Sequence, residues 1–151
     1  MLRRPKIGIT LACLLILSAC SSSPLKPLDE PTRILIVTEA LGQLGRPYHY
    51  GGATPEGFDC SGLVQYAYAQ AGVSLPRTTS GQLKVGEEIS LSSAEPGDLL
   101  FYKMNGGLHV ALYVGDGRAV HAPASGRQVI AAPVDIPYWR RSFITAVRVL
   151  R

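Results

Sequence analysis

Hydrophobic residues recur with a helical period in the first half of the chain and with an alternating period in the second half. Between residues 32 and 44 they return every three or four positions, which predicts a first helix that ends before Gly45. A second helix is predicted from Asp59, a residue type that caps helices well, to Gly72. The predicted buried faces are Ile34, Val37, Leu41 and Leu44 in the first helix, and Cys60, Leu63, Val64, Ala67, Tyr68 and Ala71 in the second.

The alternating pattern begins beyond Gly97 and is divided by Gly, Asn and Pro residues. It predicts strands over residues 98–102, 108–114, 118–122 and 145–150. Helices followed by strands indicate an α+β domain, in which the second helix packs on one face of an antiparallel sheet.

The first twenty residues have the parts of a secretory signal: a basic stretch, an apolar run over residues 7–17 and a small-residue stop that ends at Cys20. The apolar run is shorter than the roughly 20 residues that a membrane-spanning helix needs. Leu17-Ser18-Ala19-Cys20 resembles the lipobox of bacterial lipoproteins, in which the cysteine is acylated and becomes the first mature residue. We therefore expect a signal peptide over residues 1–19 and a lipid on Cys20; the alternative is an ordinary signal peptide cut near Ala19.

The rest of the chain divides into a Pro- and Ser-rich tether over residues 20–31 and one domain over residues 32–151. Ser21 stands where an Asp retains many lipoproteins at the inner membrane, so we expect the periplasmic face of the outer membrane. The net charge of +4 falls to +1 after the signal, because three of the 15 basic residues lie in the signal while all 11 acidic residues follow it. This balance argues against nucleic acid as a partner.

Cys60 is the only thiol expected to remain free, since Cys13 leaves with the signal and Cys20 carries the lipid. A lone thiol in an oxidising compartment is either buried and inert or kept for its reactivity. At the start of the second helix, Cys60 would meet unpaired backbone N–H groups and the positive end of the helix dipole, which both favour the thiolate. The same N–H groups can hold an oxyanion, so Cys60 is predicted to be a nucleophile.

A thiol nucleophile needs a base, and the chain offers His49, His109 and His121. His109 interrupts one face of its predicted strand beside a small residue and is the predicted base. A two-residue turn at Asp116-Gly117 would place His109 and His121 on opposite faces of the sheet. A three-residue loop over residues 115–117 would instead make them diagonal neighbours at roughly 7 Å, so that His121 could hold the tautomer of His109. We expect the three-residue loop; the alternative for each histidine is a satisfied, half-buried residue.

The segment Phe58-Asp59-Cys60-Ser61-Gly62-Leu63-Val64 resembles the NlpC/P60 peptidases, papain-like enzymes that hydrolyse peptidoglycan stem peptides. The likeness extends over about residues 32–151 and includes five further motifs in the same order. They are Pro47-Tyr48-His49-Tyr50-Gly51-Gly52, Leu75-Pro76-Arg77-Thr78, Pro96-Gly97-Asp98-Leu99-Leu100-Phe101, Leu108-His109-Val110-Ala111 and Val120-His121-Ala122.

This resemblance implies a papain-like fold and a thiol protease, a murein endopeptidase of the cell wall, with Cys60 as nucleophile, His109 as base and His121 as the residue that orients the base. It also implies that the Tyr48 hydroxyl points into the oxyanion pocket, where the sequence alone suggests only a packing aromatic. The residues expected at the substrate groove by the same analogy are Asp59, Ser61 and Arg77. The alternative is that Asp59 only caps the helix, Ser61 acts only through its N–H and Arg77 is a solvated loop residue.

The implied reaction passes through a thioester on Cys60 and requires no metal and no organic cofactor. The expected partners are peptidoglycan stem peptides and, through the lipid, a membrane; the sequence names no regulatory adaptor or protease. Three alternatives keep the same residues: a zinc ion held by Cys60, His109 and His121, acyl transfer to an amine, and a non-catalytic lipoprotein that binds peptidoglycan or a partner enzyme.

Overall fold

Four α-helices and eight strands make up the part of the chain that the computed structural model describes, residues 24–105, 107–124 and 127–151. The helices are α1 (Glu30–Leu41), α2 (Cys60–Gln70), α3 (Thr79–Gln82) and α4 (Pro137–Ser142). The strands are β1 (Ala53–Thr54), β2 (Gly57–Phe58), β3 (Gly86–Ile89), β4 (Leu99–Met104), β5 (Gly107–Gly115), β6 (Arg118–His121), β7 (Ile130–Pro133) and β8 (Phe143–Val149).

The main sheet has six antiparallel strands in the order β3-β8-β4-β5-β6-β7, and β1 pairs with β2 in a separate ribbon. The last strand, β8, therefore lies between β3 and β4, which precede it in the chain. This arrangement confirms the predicted α+β class and all four predicted strands. The sequence pattern missed β3 and β7, which have four residues each and are mostly half-buried or exposed.

The sheet is covered on both faces. On one face, Val64 and Tyr68 of α2 pack with Val110 and Leu112 of β5, which confirms the predicted contact between the second helix and the sheet. On the other face, Trp139 of α4 joins a second apolar cluster that includes Leu100, Tyr102, Ala111 and Ala146. Burial on both faces explains why β4 has a continuous apolar run and no alternation.

The first helix buries a different face from the predicted one. Its buried residues are Arg33, Ile36 and Ala40, whereas Ile34 is 59% exposed. The cause is an ion pair, because the Arg33 guanidinium donates to the fully buried Asp98 carboxylate at 2.8 Å. A buried carboxylate needs such a partner, so it draws this side of α1 inward at the expense of the more apolar side.

Residues 26–31 belong to the folded domain, although their composition predicts a tether up to residue 31. Lys26 and Arg151 exchange two backbone hydrogen bonds of 2.9 Å, and Leu28 is buried in the core. Asp29 then caps α1 by accepting from the Thr32 N–H at 3.0 Å, so the helix starts at Glu30. Proline is tolerated at a sheet edge, which is why a Pro-rich segment can pair here. The predicted signal peptide and Cys20 lie outside the described residues.

The turn between β5 and β6 has two residues, not the predicted three. Asp116 and Gly117 both have positive φ angles, 50° and 66°, as a type I′ turn requires. Gly115 consequently pairs directly with Arg118. The predicted loop length is therefore wrong.

The predicted register of the hairpin is nevertheless confirmed. A bulge between Tyr113 and Gly115 adds one residue to β5 and shifts the pairing, so that Leu112 lies opposite Val120. This is the pairing that the three-residue loop would have produced.

Within the described ranges, no helix is long and apolar enough to cross a membrane.

Candidate active site

Cys60 is the first residue of α2, and its position depends on the cap of that helix. One Asp59 carboxylate oxygen accepts from the Gly62 N–H at 2.7 Å, which leaves the Cys60 N–H without an acceptor among the described residues. The Cys60 side chain is half-buried, and its sulfur lies 3.7 Å from the hydroxyl of Thr79 in α3. Sequence reasoning missed Thr79, which directly follows the Leu-Pro-Arg-Thr motif.

Glycine at position 62 allows the nucleophile helix to contact the loop before β1. A Cβ atom at Gly62 would lie 1.9 Å from the Gly52 carbonyl oxygen, which also accepts from the Asp59 N–H at 3.0 Å. The start of α2 and the Gly51-Gly52 loop therefore touch backbone to backbone. This contact fixes the position of the Cys60 N–H relative to the loop that follows Tyr48.

His109 and His121 form a buried pair on β5 and β6. The Nε2 atom of His109 lies 3.0 Å from Nδ1 of His121, and the two ring planes differ by only 2°. The side chains are 6% and 0% exposed, and burial lowers the pKa of His109 to about 4 and that of His121 to about 3. Both imidazoles are therefore neutral near neutral pH, and Nδ1 of His109 makes no hydrogen bond among the described residues.

Aromatic side chains pack against this histidine pair. Trp139 stacks on His121 with ring centroids 4.1 Å apart and an interplanar angle of 19°. Tyr102 is the cross-strand partner of His109, and its ring centroid lies 5.8 Å from that of His121. Sequence reasoning missed both aromatics. For Trp139 the available signal was Pro137, which marks the first turn of a short helix.

Three of the four residues predicted to act in catalysis line one cavity of 430 Å³, namely Tyr48, Cys60 and His109. The fourth, His121, does not line the cavity, but it contacts His109, which does. Desolvation and the adjacent Cys60 raise the pKa of Tyr48, so its hydroxyl remains a donor at neutral pH. The cavity thus combines a thiol, a neutral imidazole and two hydrogen-bond donors, the Cys60 N–H and the Tyr48 hydroxyl. These are the groups that acyl transfer requires.

Asp59, Ser61 and Arg77 are brought together, but they bind one another. The Arg77 guanidinium donates to both Asp59 oxygens, at 2.9 and 2.7 Å, to the Ser61 hydroxyl at 2.9 Å and to the Gly52 carbonyl at 3.2 Å. Burial alone would raise the pKa of Asp59, but the hydrogen bonds from Arg77 and Gly62 outweigh it and lower this pKa. This geometry favours a positioning role, and the predicted substrate contacts of the three residues stay a prediction.

The histidine geometry also bears on a metal site. The described residues contain no group of three His, Cys, Asp or Glu side chains arranged to hold a metal ion. His109 and His121 direct one ring nitrogen each at the other, so these two nitrogens do not converge on a common ion.

A model of the NlpC/P60 family matches residues 45–148. The chain belongs to the NlpC/P60 family, and the resemblance seen in its motifs is confirmed.

Similar proteins include a γ-DL-glutamyl hydrolase of Bacillus subtilis, which is 43% identical over 121 residues that cover 76% of this chain and 29% of the relative. The probable endopeptidase p60 of Listeria monocytogenes is 46% identical over 92 residues, which cover 60% of this chain and 19% of the relative. The chain thus spans less than a third of the length of these curated relatives.

Solved structures agree with the fold. A lipoprotein-like NLP/P60 protein of Staphylococcus aureus is 36% identical, with a TM-score of 0.74 over 87% of this chain and 45% of the other. The NlpC/p60 domain of the peptidoglycan hydrolase SagA is 39% identical, with a TM-score of 0.68 over 78% of this chain and 98% of that domain. The papain-like α+β fold expected from the motifs is confirmed.

Proposed function

We propose that this chain is a cysteine peptidase of the cell envelope that hydrolyses amide bonds in peptidoglycan stem peptides. The observation that carries the proposal is the shared cavity of Cys60 and His109, with the far nitrogen of His109 bound to His121. The names of relatives support the substrate class, since they include endopeptidases, a γ-DL-glutamyl hydrolase and a peptidoglycan hydrolase.

The reaction begins with His109 as a neutral imidazole in the cavity that Cys60 also lines. His109 takes the thiol proton on Nδ1 while the Cys60 sulfur attacks the substrate carbonyl carbon, and a C–S bond forms. In this state the His109 Nε2–H donates to Nδ1 of His121, which fixes the His109 tautomer. The oxyanion accepts hydrogen bonds from the Cys60 N–H and the Tyr48 hydroxyl.

The second half of the reaction releases the two products. His109 passes its proton to the leaving amine as the C–N bond breaks, which leaves a thioester on Cys60. Water then gives a proton to His109 and attacks the thioester, and the carboxylic acid leaves as the thiol is restored. An amine in place of this water would give acyl transfer through the same intermediate.

We further propose, from the predicted signal peptide and the predicted lipid on Cys20, that the domain lies at the periplasmic face of the outer membrane. Because Lys26 pairs with Arg151 on the domain, the proposed tether shortens to residues 21–25. They span at most about 18 Å when fully extended. The test is metabolic labelling with palmitate, which a Cys20→Ser variant should abolish if Cys20 carries the lipid.

The proposed activity is tested by digesting purified peptidoglycan with residues 24–151 and measuring the masses of the released fragments by mass spectrometry. Wild type should release peptides and Cys60→Ala should release none, and the fragment masses identify the bond within a stem or between stems. If both proteins release nothing while a pull-down retains them on the wall, the enzyme proposal fails and a binding protein replaces it.

A further inference from the structure

The active-site cavity lies next to a second cavity of 490 Å³, and Arg127 lines both. Both cavities are lined by Pro123, Arg127 and Ile130, while Cys60 and His109 line only the first. A peptide long enough to extend from the nucleophile into the second cavity therefore passes the Arg127 side chain.

Arg127 is the only Asp, Glu, Lys or Arg among the described residues that line the two cavities. The described part of the chain also contains no carboxylate within salt-bridge distance of its exposed guanidinium. By contrast, Arg77 is paired with Asp59, and Arg148 is paired with Asp98. Arg127 thus provides positive charge in a groove whose lining supplies no balancing negative charge.

The backbone at Arg127 is held in place. The Tyr48 N–H donates to the Arg127 carbonyl at 2.9 Å, and the Val129 N–H donates to the Arg46 carbonyl at 2.8 Å. Pro47 and Gln128 form a bridge between these two bonds. Arg127 is therefore joined to the segment that carries the proposed oxyanion donor, so its distance from the reacting carbonyl is restricted.

We infer that Arg127 is a specificity residue that binds a free carboxylate of the substrate beside the scissile amide. The inference rests on the proposed function, and it names the chemical class of stem peptide that the site accepts. A γ-glutamyl linkage keeps the α-carboxyl group of its glutamate free, and a diamino acid can contribute a second carboxylate. A guanidinium binds such a planar anion through two parallel hydrogen bonds, which a neutral carboxamide cannot match.

The test uses matched pairs of stem peptides. The members of a pair differ only in one group next to the scissile bond, which is a free carboxylate in one peptide and the carboxamide in the other. One pair carries this change at the glutamate and a second pair carries it at the diamino acid. In one of the two pairs, wild type should cleave the acid with a kcat/KM about ten- to a hundredfold higher than that for the matching amide. This is the range expected for one charge-assisted hydrogen-bonded pair. Arg127→Gln should remove this preference by lowering only the rate on the acid, and Arg127→Glu should reverse it.

Arg140→Gln is the matched control, because Arg140 is exposed on α4 and does not line either cavity. Equal rate losses on acid and amide in Arg127→Gln, or no loss, would overturn the inference. Calorimetric binding of the same peptides to Cys60→Ala, with and without Arg127→Gln, separates the two proposals. If wild type cleaves nothing but the acid still binds more tightly through Arg127, only the proposed activity fails.

Discussion

Mild acid should destabilise the domain through His109 and His121. The ordinary pKa of 6.5 falls in the folded state to about 4 for His109 and to about 3 for His121, because burial penalises the charged imidazole. The unfolded chain then binds protons that the folded chain does not, so stability is complete above about pH 6.5 and is lost as the pH falls. Between about pH 7.5 and about pH 5, each histidine lowers the free energy of unfolding by about 2 kcal/mol.

The combined loss of about 4 kcal/mol is a large part of the 5–15 kcal/mol that typically stabilises a domain. It should appear in urea unfolding followed by circular dichroism at both pH values. His121→Asn keeps an acceptor for the His109 N–H and removes one titrating ring, so the loss should fall to about 2 kcal/mol. His49→Gln, at an exposed position outside this pair, is the control variant. A stability that is flat over this pH range, or equal slopes in wild type and His121→Asn, would refute the reasoning.

Two further predictions concern the charged networks. Arg77→Lys keeps the charge but loses the two parallel hydrogen bonds to Asp59. The kcat should therefore fall about tenfold or more while KM changes little. An increase in KM alone would show that Arg77 contacts substrate. Asp98→Asn removes the buried carboxylate that Arg33 and Arg148 share, which leaves Arg33 only the exposed Glu95 at 3.7 Å, and it should cost about 3 kcal/mol in urea unfolding. Asp29→Asn, at an exposed pair, should cost much less. Similar losses in the two variants would contradict the assigned burial.

The parts of the fold that local pattern controls could be predicted from the sequence. The second helix has a cap, an unbroken apolar face and a terminal glycine, and the structure has it at the predicted place. The first helix was predicted at nearly the right place but with the wrong buried face. Its orientation depends on Asp98, which is distant in the chain, and a hydrophobic period does not contain that information.

The candidate site was predictable to the same extent. Cys60, His109 and Tyr48 could be predicted because a helix start, a strand and a glycine loop have recognisable motifs. The structure brings the three residues together in one cavity. The bulge that puts His121 on the face of His109 left no local signal beyond its glycines. Trp139 lies in a short helix between strands, and its contact with His121 requires the whole sheet to be assembled.

The place of β8 in the sheet has a consequence for how the molecule is made. This last strand separates β3 from β4, and the final residue, Arg151, also holds Lys26 at the start of the fold. A chain that stops before residue 143 would leave β3 without a partner and β4 with an open edge beside the strand that carries His109. Contacts between such distant parts of a chain close late in folding. The site of the proposed hydrolase therefore depends on a strand that contributes none of its own side chains to it, and a copy cut short before β8 should lose the sheet on which His109 lies.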